Sequence, residues 1–105
     1  MEKRANIYYN NILAGSLIKA DSQYIFRYEK GYLESNNPAI SIAFPKTASE
    51  YTSNELFPFF YGLLAEGEEK ELQCRLLGID EDDHFTRLIK TAHNTIGAVT
   101  VEEEL

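Results

Sequence analysis

The sequence contains no tryptophan, a single cysteine, one methionine and three prolines. Without tryptophan, the volume of a core falls to its seven tyrosines and six phenylalanines, large side chains that carry much of the burial in small domains. The one cysteine, Cys74, excludes an internal disulfide and favours a reducing compartment. Basic residues are few: ten Lys and Arg stand against seventeen Asp and Glu, for a net charge of −7. That balance argues against free nucleic acid as a direct ligand, because phosphate binding needs a basic footprint. An anionic membrane surface is disfavoured for the same reason. No stretch approaches the ~20 apolar residues of a membrane helix, and the N-terminal MEKRANIYYNN has no signal-peptide core. Cytoplasm is the default expectation.

What is present suffices for one domain. The 105 residues are 44% hydrophobic, near the globular norm. The first half reads as strands. Ala5 to Tyr9 and Ile12 to Ala20 flank Asn10-Asn11, a turn pair that tolerates positive φ. Gly15 marks a bulge or a close backbone approach. Tyr24, Phe26 and Tyr28 alternate as in a half-buried strand. Residues 31 to 38 read as a loop carrying Tyr32 and Leu33. Ala39 to Phe44 alternates again and predicts a fourth strand, with Ile40, Ile42 and Phe44 on one face.

After Pro45 and a polar connector the period shifts towards 3.6. Thr52-Ser-Asn-Glu55 matches a capping box and predicts a helix start. Pro58 conflicts with a straight helix from there, so either the helix kinks or its first turn is separate. Phe60, Leu63 and Leu64 lead up to Ala65. A second helix is expected from about Gly67 to Leu77, with Glu68, Glu69 and Glu71 near its positive end, Leu72 and Leu76 facing inward, and Gly78 as its stop. Asp80 caps a third helix reaching about Ala92, whose Phe85, Leu88, Ile89 and Ala92 have helical spacing. Ile96 to Val101 is a last strand, which must return to the sheet. The expected class is α+β: one domain over residues 1–105, a small antiparallel sheet from the N-terminal half and a C-terminal strand, packed with about three helices.

Catalytic and metal chemistry find little support. His84 and His93 are nine residues apart, Cys74 lacks a companion, and no zinc spacing is matched. Cys74 within a helix reads as a small packing residue. There is no phosphate-binding loop, dinucleotide fingerprint or nucleophile elbow. The reading is therefore a binding protein with no catalytic, cofactor or metal residues. The one feature that folding alone explains poorly is the crowd of Phe57, Phe59, Phe60 and Tyr61 around Pro58. These cannot all face one core from a helix, and aromatic residues are enriched at interfaces.

The run Leu56-Phe-Pro-Phe-Phe-Tyr-Gly-Leu-Leu-Ala-Glu-Gly67 resembles the N-terminal subdomain of HipA-type kinases, where the stretch reads L-P-P-F-F-x-x-L-L-P-E-G. Phe26-Arg-Tyr28 with Gly31-Tyr-Leu33, Ile40 to Pro45, Phe85 to Ile89 and Ile96 to Val101 follow the family's motifs in order, across nearly the whole chain. Ala65 replaces the family's usual proline, and Asn94-Thr95-Ile96 replaces its usual residues before Gly-Ala-Val.

The resemblance implies a free-standing copy of that subdomain, like the small HipS-like antitoxin of three-part toxin–antitoxin systems. Its partner would be a HipA-like kinase toxin, with a helix-turn-helix, DNA-binding HipB-like protein joining through the complex. The implied function is binding and neutralising a HipA-type Ser/Thr kinase; the alternative is a structural subunit that supports a split kinase. No nucleotide-binding or catalytic residue of the kinase maps onto these 105 residues. The candidate partner-binding residues are Phe57, Phe59, Tyr61, Ala65, Glu66, Gly67, Glu68 and Glu69.

Overall fold

The computed structural model describes residues 2–93 and 97–104. Five antiparallel strands form one sheet: β1 (Lys3–Tyr9), β2 (Ile12–Ala20), β3 (Gln23–Tyr28), β4 (Glu50–Ser53) and β5 (Val99–Glu103). Their spatial order is β4-β3-β2-β1-β5. Four helices complete the described residues: α1 (Lys30–Glu34), α2 (Pro58–Tyr61), α3 (Gly67–Leu77) and α4 (His84–Thr91). The α+β class, the three N-terminal strands and the closing strand are as the sequence predicts. The last strand begins at Val99 and runs to Glu103, so Gly97 and Ala98, expected within it, precede it; its expected first residue, Ile96, lies outside the described residues, as do Asn94 and Thr95.

The turn between β1 and β2 takes positive φ at both Asn10 and Asn11, 48° and 68°, as a two-residue hairpin of this twist requires. The register slips after Ile7, which faces Gly15, while Tyr8 faces Leu13. Ala14 is therefore the extra residue of a bulge. One inward row runs across the sheet through Val101, Ile7, Gly15 and Tyr28. The next runs through Ala5, Leu17, Phe26 and Tyr51. Against these rows pack Phe60 and Leu64 and, from α4 and its end, Phe85, Leu88 and Ala92.

Several local expectations are overturned. Residues 39–44 form turns, not a strand. Ile40 and Phe44 are buried but Ile42 is completely exposed. The Ser41 hydroxyl accepts from the Ala43 N–H and the Ser41 carbonyl from the Phe44 N–H, a local alternative to a strand ladder. Tyr28 then fastens the loop from beneath: its hydroxyl donates to the Phe44 carbonyl and accepts from the Ile40 N–H at 3.1 Å.

Thr52 to Glu55 is not a capping box. Thr52 lies in β4 opposite Ile25, and Ser53 Oγ accepts from the Glu55 N–H. The helix begins instead at Pro58, the position where a missing N–H costs nothing, which resolves the conflict that Pro58 raises. The first part of the loop expected over residues 31–38 belongs to α1, which brings Tyr32 into a parallel stack on Tyr28 at 5.9 Å.

The cap of α4 is Asp83 and not Asp80, whose carboxylate accepts from the Asp82 N–H in the preceding turn. Asp83 accepts from both the backbone N–H and the hydroxyl of Thr86. Burial alone would raise its pKa. The two Thr86 hydrogen bonds, with Lys3 and Lys19, outweigh burial and hold it below the usual carboxylate value. A carboxyl with a depressed folded-state pKa contributes stability above its unfolded pKa, about 3.9, and loses it as pH falls through the folded value. Asp83→Ala is therefore expected to cost about 1 kcal/mol at neutral pH. In urea titrations its deficit relative to the wild type should shrink below about pH 4. A deficit that does not change with pH would refute the charged-cap account.

Candidate functional site

The candidate residues lie on α2 and its N-cap, on the start of α3 and on the segment between the two helices. The aromatic ones divide by depth. Phe57, the N-cap of α2, is buried, with its ring edge-on to Phe44 at 5.1 Å. Phe59 is half-buried, 5.2 Å from Phe60 and 6.0 Å from Phe44. Phe60 is wholly buried. Tyr61 is the exposed member, and its ring meets the His84 ring edge-on at 5.2 Å. Of the aromatic residues that the sequence proposes for a partner, the structure thus turns Phe57 and Phe59 towards the core and leaves Tyr61 outside.

The following turn is held by an arginine that the sequence reading passes over. Arg87 lies between Phe85 and Leu88 on α4 and is only 2% exposed. Its Nη2 donates to the Ala65 carbonyl at 2.7 Å, and its Nη1 to the Glu81 carbonyl at 3.4 Å. A buried guanidinium needs such acceptors to offset desolvation. No sequence signal marks it: at 3.6 residues per turn Arg87 lies roughly 150° from the centre of the stripe formed by Phe85, Leu88, Ile89 and Ala92, where a charged residue reads as facing solvent. His84, one turn earlier, places Nδ1 3.5 Å from Arg87 Nη1. His84 and Arg87 on α4 therefore contact Tyr61 and Ala65, the two ends of the α2–α3 connection.

Beyond Ala65 the chain is acidic and exposed. Glu66 is the N-cap of α3 in extended conformation, and Gly67 opens the helix with φ 62°, a left-handed backbone that favours glycine. Glu68 and Glu69 occupy the first turn, where the helix dipole favours carboxylates. Lys70 reaches Glu81 at 3.6 Å, an exposed pair of small worth. The helix ends as expected at Gly78, φ 69°, whose N–H bonds to the Cys74 carbonyl.

The inward placement expected for Leu72 and Leu76 is wrong. They are 51% and 75% exposed, and the buried residue of α3 is Cys74. At 3.6 residues per turn, positions two before and two after Cys74 lie about 160° from it on either side. Anchoring the helix through Cys74 therefore turns both leucines to the opposite face.

The site offers an exposed tyrosine, a clamped turn, carboxylates and an outward apolar ridge. Among the described residues no three His, Cys, Asp or Glu side chains come together as a metal site, and no helix is long and apolar enough to cross a membrane.

Comparison with known proteins agrees with this architecture. An uncharacterised protein of Haemophilus influenzae is 36% identical over 80 residues, 71% of this chain and 76% of that protein. A protein of Sinorhizobium fredii described as putative kinase Y4mE is 29% identical over 80 residues; the match takes in 75% of this chain but only 19% of that much longer one. A solved structure described as the N-terminal domain of HipA toxin superposes with a TM-score of 0.74 over 98% of this chain and 93% of its own, at 22% identity, a likeness of fold. The model of the HipA N-terminal domain family matches residues 5–102, and the chain belongs to that family.

Proposed function

We propose that this chain binds a HipA-type Ser/Thr kinase and neutralises it, as the antitoxin-like member of a toxin–antitoxin system acting in the cytoplasm. The observation that carries the reading is the family match over residues 5–102, set beside a relative described as a putative kinase in which the matched region is one fifth of the chain. A domain that is one part of a longer kinase has a surface that packs against the remainder. Offered as a separate chain, the same surface can bind in trans, at the additional cost of translational and rotational freedom. Inhibition follows if docking blocks the active-site mouth or favours an inactive conformation.

In this reading Tyr61 and the turn Ala65, Glu66, Gly67, Glu68 and Glu69 meet the kinase. Phe57 and Phe59 support that surface from beneath, and Arg87 holds the turn in position through the Ala65 carbonyl. A HipB-like helix-turn-helix protein joins through the kinase, since the net charge of −7 makes a direct nucleic-acid contact by this chain unfavourable. The reading assigns it no catalytic step.

Co-expression with a HipA-type kinase from the same genome that lacks this domain is the test, scored by host growth and by co-purification. Restored growth with a stable complex supports neutralisation. A stable complex with growth still arrested, or with kinase activity raised, overturns it in favour of an activity-supporting subunit. Absence of a complex removes both roles.

A further inference from the structure

We infer that the outward face of α3, built on Leu72 and Leu76, is a docking surface for a protein partner that presents an aliphatic groove edged with lysine or arginine. The inference deepens the proposed function and rests on it: it extends the kinase contact beyond the α2–α3 turn and states the chemistry of the opposing surface.

The helix is amphipathic in the wrong sense for a domain standing alone. Its buried residue is Cys74, while the two leucines lie on the far side, four residues apart and in line along the axis. Leu77, 52% exposed, flanks them. Leucines one turn apart on an otherwise charged helix are an arrangement suited to a groove on another protein. The ridge continues towards the α2–α3 turn, because Glu68 stands one turn before Leu72 and Glu69 one turn before Leu72 and two before Leu76. It is therefore contiguous with the surface already assigned to the partner.

Charge selects the occupant. Residues 66–82 carry seven carboxylates against Lys70 and Arg75, and Lys70 is already engaged with Glu81. A second copy of this chain would set these carboxylates against one another, and a pair of leucines falls far short of the roughly 800 Å² per partner of a stable dimer. An anionic bilayer or nucleic acid would be repelled. A protein surface that is basic at its edge and aliphatic at its centre satisfies both features of the ridge, with the charges steering the encounter and the leucines slowing release.

The experiment uses the full chain with the same domain-lacking kinase as probe, measuring affinity by calorimetry and stability by thermal melting. The double variant Leu72→Ser/Leu76→Ser should melt like the wild type, because both side chains already face solvent, and should bind at least about tenfold more weakly. Glu68→Lys/Glu69→Lys should also weaken binding. Wild-type affinity should fall at least about tenfold between roughly 50 and 500 mM NaCl.

Wild-type protein that binds while both variants bind equally well would overturn this inference and leave the proposed function standing. Wild-type protein that does not bind the kinase would overturn the proposed function and the inference with it. A wild-type dimer in sedimentation that the leucine variant dissolves would assign the ridge to a second copy and overturn the basic-partner chemistry. If the leucine variant melts early, the two glutamate substitutions decide: unchanged binding there overturns the inference.

Discussion

Phe44→Ala is expected to destabilise the protein by about 3–5 kcal/mol, the range for removing a buried phenylalanine ring. Phe44 sits on an irregular loop, yet its ring is fully buried at the hub of an aromatic cluster. It lies 4.8 Å from Phe26, 5.1 Å from Phe57, 5.3 Å from Tyr51 and 5.6 Å from Phe60. Its removal leaves a cavity lined by rings from β3, β4 and α2, elements that cannot close on it together. It also loosens the loop that Tyr28 fastens through the Phe44 carbonyl. Small domains have only about 5–15 kcal/mol of stability in total, so the variant should lose roughly 15–30 °C of melting temperature. Ile42→Ala, two residues away, should melt within a degree or two of the wild type, because that side chain touches only solvent. Equal losses at both positions would mean that residues 39–44 form the alternating strand their sequence suggests.

Gly15→Ala is the second large effect, expected at about 3 kcal/mol or more because the added atom meets backbone that cannot give way. A Cβ there would lie well inside van der Waals contact distance of the Arg27 carbonyl oxygen and 3.1 Å from the Tyr28 Cα. Both belong to β3, paired with β2 through the Gly15–Tyr28 register. The strands would have to part at the point where Tyr28 leaves the sheet to hold the 39–44 loop and stack on Tyr32. Gly15 is not needed for an unusual dihedral, since the positive-φ glycines are Gly67 and Gly78. The contrast is testable by urea denaturation. Gly78→Ala, with no atom near its Cβ, should cost only about 1 kcal/mol, from its left-handed backbone. A Gly15→Ala variant within about 0.5 kcal/mol of the wild type would refute the close approach.

Part of the candidate site packs against the first of these positions. The rings that meet Phe44 include Phe57 and Phe59, so part of the run that marks the family in sequence serves as core. Tyr61 and the acidic turn are what the same run leaves exposed. The motif does not separate buried from exposed positions, because a ring that packs a core and a ring left at the surface are the same residue type.

Where residues interact with near neighbours, the sequence was legible. The Asn10-Asn11 hairpin, the alternation in β3, the bounds of α3 with Gly78 as its stop, and the spacing of Phe85, Leu88 and Ala92 all follow from rules that span a few residues. The ordered motifs likewise pointed to the HipA N-terminal domain family. Where two local solutions competed, distant residues chose between them. Tyr28, from β3, holds residues 39–44 in turns by supplying one hydroxyl as donor and acceptor. Phe26 pairs with Tyr51 and makes a strand where a capping box was available. The Cys74 anchor turned Leu72 and Leu76 outward, and Arg87 reached across from α4 to the Ala65 carbonyl. Local chemistry sets which elements a segment can form. Which one it takes, and which face it leaves exposed, depends on contacts between residues far apart in the chain, and those exist only once the chain has folded.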